Sequence, residues 1–130
     1  MTTKELYDAI ICKPDLHSLP ELHDQTIIWP LYQNAYIQAF CHDGDTSIDI
    51  VGNSVFSGSI MHKHPNEDDM IDELYALGKA GNMLVLKKTL FETCIFYLGP
   101  SQNFPLAERP SLHFGKKKWD GGQLIYLEQK

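Results

Sequence analysis

Ser59-Ile60-Met61-His62-Lys63-His64-Pro65-Asn66-Glu67-Asp68-Asp69-Met70-Ile71 is the stretch in which the apolar period changes from two to 3.6. Up to His64 the residues alternate as in a half-buried strand, with Ile60, His62 and His64 on one face. From Met70 onward, Met70, Ile71, Leu74, Tyr75 and Leu77 form one helical stripe. Pro65 closes the strand and Asn66 is a good N-cap. Glu67, Asp68 and Asp69 then place negative charge where the helix dipole favours it. Gly78 or Gly81 ends the helix.

Working outward, the flanking segments read mostly as strands. On the N-terminal side, Ser47 to Val51 alternates, with Ile48 and Ile50 opposite Asp49, and Gly52-Asn53 supplies a tight turn. Ala35 to Cys41 and Thr26 to Trp29 are further β-prone runs, the latter stopped by Pro30. Asp15 to Gln25 reads as a loop. Before it, Thr2 and Glu5 form a capping-box signature for a short helix carrying Leu6, Tyr7, Ile10 and Ile11, which Pro14 terminates. On the C-terminal side, Met83 to Lys88 and Thr93 to Leu98 are apolar enough to be central strands of the same sheet. An irregular, aromatic arm follows, with a last strand from Gln123 to Leu127. The expected fold is α+β: a mainly antiparallel sheet of about five to seven strands with two flanking helices.

The 130 residues fit one domain, and 43% hydrophobic with 22% charged residues are ordinary globular values. No apolar run reaches the length of roughly 18 residues that a membrane helix needs. The start, Met1-Thr2-Thr3-Lys4-Glu5, lacks the apolar core of a signal peptide, so a cytoplasmic location is expected. Cys12, Cys41 and Cys94 make no CxxC pair and sit among apolar neighbours, as structural core thiols do. A net charge of −6 disfavours nucleic acid as a partner and suits a basic protein.

Chemistry concentrates at His62 and His64. Two imidazoles on one strand face, roughly 6–7 Å apart by the strand rise, can converge on a divalent metal such as zinc. No third ligand stands at a diagnostic spacing: Glu67, Asp68, Asp69, His17, His23, Asp24, His42 and Asp43 all qualify by type. A pair at a strand end can equally hydrogen-bond backbone and shape the junction. The acidic run Glu67-Asp68-Asp69 has two readings of its own, a solvated helix start or a surface for a basic partner. Lys116-Lys117-Lys118-Trp119 reads first as a solvated turn. Trp29 and Trp119, with Phe104 and Phe114, are candidates to contact a partner or line a small-ligand pocket beside the arm. No nucleophile elbow and no phosphate-binding glycine loop occurs.

His62-Lys63-His64-Pro65 resembles the metal-binding segment of JAMM-type metalloproteases, a likeness that implies zinc ligation by the two histidines. It covers four residues, and the serine and aspartate that follow in that family have no counterpart here. More broadly, a strand ending in HxHP, an acidic helix and an apolar hairpin resemble small bacterial α+β proteins, some of them toxin-immunity proteins. That resemblance implies a non-enzymatic binding role without cofactor. A metal-dependent hydrolase is the alternative. The hydrolase reading requires stoichiometric zinc, iron or manganese in metal analysis of the purified protein, and its loss when His62→Ala and His64→Ala are combined.

Overall fold

The computed structural model describes residues 1–42, 45–52, 59–63, 67–88, 93–103 and 123–130. It is an α+β fold in the order α1 (Thr3–Ile11), β1 (Glu21–His23), β2 (Thr26–Trp29), β3 (Ala35–His42), β4 (Asp45–Gly52), β5 (Ser59–Lys63), α2 (Glu67–Gly78), β6 (Asn82–Lys88), β7 (Thr93–Pro100) and β8 (Gln123–Leu127), with a short 3-10 turn at Ser101–Asn103. All described strand pairs are antiparallel.

The strands divide between two sheets, where the sequence suggested one. β1 to β5 form a meander in chain order, while the second sheet runs β7-β6-β8. The run Met83-Leu84-Val85-Leu86 is buried on both faces, as expected for a central strand, but it is central to the smaller sheet. One antiparallel bridge, Tyr32 to Gln129, links the end of that sheet to the β2–β3 connection. The supposed loop from Asp15 to Gln25 also contains a strand, β1. Its hairpin to β2 turns through Asp24 at φ 54°, a left-handed conformation that Asp tolerates better than most residues. The expected turn residue Asn53, the N-cap Asn66, the possible ligand Asp43 and the aromatic arm lie outside the described residues.

Alternation places the core. Ile27 and Trp29 of β2, Ala35, Ile37, Ala39 and Cys41 of β3, and Ile48 and Ile50 of β4 all point to one side. They meet Leu6 and Ile10 of α1 and Met70, Leu74 and Leu77 of α2 there. Leu84 and Leu86 of β6 and Ile125 and Leu127 of β8 join the same cluster, so both sheets contribute to the main core. Burying a leucine or isoleucine of this kind contributes about 1.5–3 kcal/mol. Of the cysteines, Cys41 is a core thiol as expected. Cys12 is exposed, because it caps the C-terminus of α1 off the Leu6–Ile10 face. The side chain of Cys94 lies outside what is described.

Two contacts lock helices to the large sheet. The Thr3 hydroxyl, fully buried, donates to the Cys41 carbonyl at 3.0 Å and accepts the Cys41 N–H at 2.9 Å. The β2–β3 ladder reaches only to Ala39, so Thr3 takes the place of the missing strand residue beside Cys41. Trp29 lies flat against Gly78 at the end of α2. A Cβ built on Gly78 falls on the indole ring, 2.7 Å from Cζ3 and nearer still to two other ring carbons.

Thr3→Val keeps the shape and removes both hydrogen bonds, and should cost about 1–3 kcal/mol in chemical denaturation by stranding a buried N–H. Gly78→Ala inverts a familiar sign. In a helix, alanine normally stabilises over glycine by about 0.5–1 kcal/mol; here overpacking against Trp29 should destabilise by about 1–3 kcal/mol. A thermal melt at or above the wild-type midpoint would contradict the Trp29 contact.

Candidate functional site

α1 and α2 pack against each other, α1 over β2 and β3, and α2 over β4, β6 and β7. Their outward faces make a helical layer that carries the exposed Glu5, Asp8, Glu67, Asp68, Asp69 and Asp72, while Glu73 is half-buried. α1 starts with the capping box foreseen in the sequence. The Glu5 N–H donates to Thr2 Oγ1 at 3.2 Å, and the Thr2 N–H donates to Glu5 Oε1 at 3.1 Å. The Met1 ammonium then reaches across to α2 and pairs with Glu67 Oε1 at 2.8 Å. Hydrogen bonding to Glu67, and its charge, raise the pKa of that amine above its ordinary value.

Glu67, Asp68, Asp69 and Asp72 are exposed, the first three in the first turn of α2. The two helices together hold seven acidic side chains and one lysine, Lys4. The remaining residues hold ten acids and ten lysines or arginines. The chain's net charge of −6 is therefore the charge of its helices. Lys4 is bound to Asp8 at 2.9 Å, which raises the lysine's pKa, and its ammonium also sits 5.5 Å above the Tyr7 ring. Lys13 takes the same place over Tyr75, whose hydroxyl donates to the Pro14 carbonyl at 2.9 Å.

The position of α2 is set at its C-terminus. The last carbonyls of a helix have no partner within it, and this last turn carries no basic residue. Four other segments supply the donors. Asn82 Nδ2 donates to the Ala76 carbonyl at 2.7 Å, Tyr32 Oη to that of Leu77 at 3.2 Å, and the His17 N–H to that of Gly78 at 2.9 Å. Gln129 Nε2 donates to the Lys79 carbonyl at 2.7 Å, while its Oε1 accepts the Gly81 N–H at 3.2 Å. Gly81 takes φ 87°, the left-handed turn that releases the chain into β6. Periodicity gave no hint of this clasp, because its donors come from positions scattered between His17 and Gln129.

The other sequence candidates are dispersed. Trp29 has no exposed surface, and its indole N–H donates to Ser18 Oγ at 3.1 Å; it is a core residue. Trp119, Phe104 and Phe114 lie outside the described residues, as do Lys116, Lys117 and Lys118. The register pairs His62 of β5 with the buried Ile48 of β4, and His64 lies outside the described residues. His23 pairs with Glu21 at 2.9 Å on the exposed β1 edge, and the His17 ring bonds the Lys130 carbonyl. Among the described residues no three His, Cys, Asp or Glu side chains come together in a metal-binding group. A shallow depression of about 120 Å³ lies between Gln33, Asn34, Tyr126, Leu127 and Glu128. That is well below the roughly 300 Å³ at which small-molecule sites begin. No described helix is long and apolar enough to cross a membrane. Comparison with known protein families, curated proteins and solved structures finds no match to the chain.

Tyr32 ties the clasp to pH. Its burial pushes the phenol pKa well above the ordinary value, so the fold holds the neutral form. Its contribution is complete below about pH 10, where an unfolded tyrosine ionises, and is lost as pH rises beyond that toward the folded value. Tyr32→Phe should lower stability near neutrality by about 1 kcal/mol and lessen the decline between pH 9 and 11. Thermal melts of both proteins across that range check the pair of effects.

Proposed function

We propose that this chain is a non-enzymatic protein-binding domain whose helical layer docks a basic protein, with immunity to a toxin as the specific form of that role. The observation that carries the reading is how charge is distributed along the sequence: the residues of α1 and α2 sum to −6, and all other residues sum to zero. An acidic first turn is a common way to start a helix, and the dipole favours it by about 0.3–1 kcal/mol per charge. That local role accounts for Glu67, Asp68 and Asp69. It does not account for Asp72 further along α2, or for two further acids on α1 against a single lysine. A one-signed field over one layer steers an oppositely charged protein to that layer and orients it there. The resemblance of the HxHP strand end and acidic helix to toxin-immunity proteins points to the same class of partner.

In the decisive experiment, the intact chain is the bait for its neighbouring-gene products and for basic toxins, at two ionic strengths. A basic partner should be captured, with affinity that falls as salt rises. The triple variant Asp68→Asn, Asp69→Asn, Asp72→Asn spares Glu67 and its ion pair with Met1. It should keep the wild-type circular dichroism and bind about tenfold or more weakly, chiefly through a slower on-rate. Capture of no basic protein by the wild type, or unchanged affinity in the folded triple variant, would overturn the proposal.

A further inference from the structure

We draw no further inference here: the strongest candidate, the face of the three-stranded sheet turned away from the main core, where the register sets Val85 between Tyr97 and Tyr126 and buries it completely, carries nothing because no described residue shows what covers that face.

Discussion

The contact on which most of this structure depends is the indole of Trp29 lying on the backbone of Gly78. It joins the second strand of the meander to the last turn of α2, and only a residue without a Cβ allows the approach. Everything around it is arranged to hold that geometry. Ser18 receives the indole N–H, the neighbouring His17 N–H takes the Gly78 carbonyl, and the Ala80 N–H donates to Asp15. The segment after α1 is thus pinned to the end of α2 by its own backbone, and the two helices are held side by side. With the tryptophan in the core, one of the aromatics that the sequence offers as a partner or pocket contact is the spacer between sheet and helix.

Local features were legible in the sequence, and non-local ones were not. The Thr2–Glu5 capping box, the α2 stripe and the alternation in β4 are each encoded within a few residues, and each is present in the structure. Trp29, a candidate contact by sequence, is buried; a four-residue strand gives too short a pattern to assign a face, and the glycine against which it packs is far along the chain. The division into two sheets has a similar cause. The run from Met83 to Leu86 announces burial on both faces but does not say which strands lie beside it. Asp24, by contrast, could have revealed the β1 hairpin, since Asp is a residue that turns through positive φ. Cys12 could have been placed as well, because it lies two residues past Ile10 and so off that residue's face.

For the candidate surface, the sequence showed the acidic run but not its setting. Glu67 to Asp69 alone describe the beginning of a helix. Their meaning changes once α1 is seen beside α2, adding Glu5 and Asp8 to the same layer and leaving the sheets to balance their own charges. The Met1–Glu67 pair shows how the layer uses positive charge internally: the ammonium groups of Met1, Lys4 and Lys13 are engaged by carboxylates or tyrosine rings. Of the histidines that drew attention first, His62 lies in β5, the strand that precedes α2 in the chain.

The place of β6 between β7 and β8 also bears on how the molecule is made. The meander can zip in the order in which it leaves the ribosome, each strand meeting the one before it. β6 cannot follow that rule. It ends at Lys88, and one of its two neighbours begins only at Gln123. Gln129, which closes the end of α2, lies further along the chain still. Pairing across so long a separation is slow because the loop must close before its contacts form. The meander's pairings are thus local in sequence, whereas the pairing of β6 with β8 is the long-range one on which the smaller sheet depends.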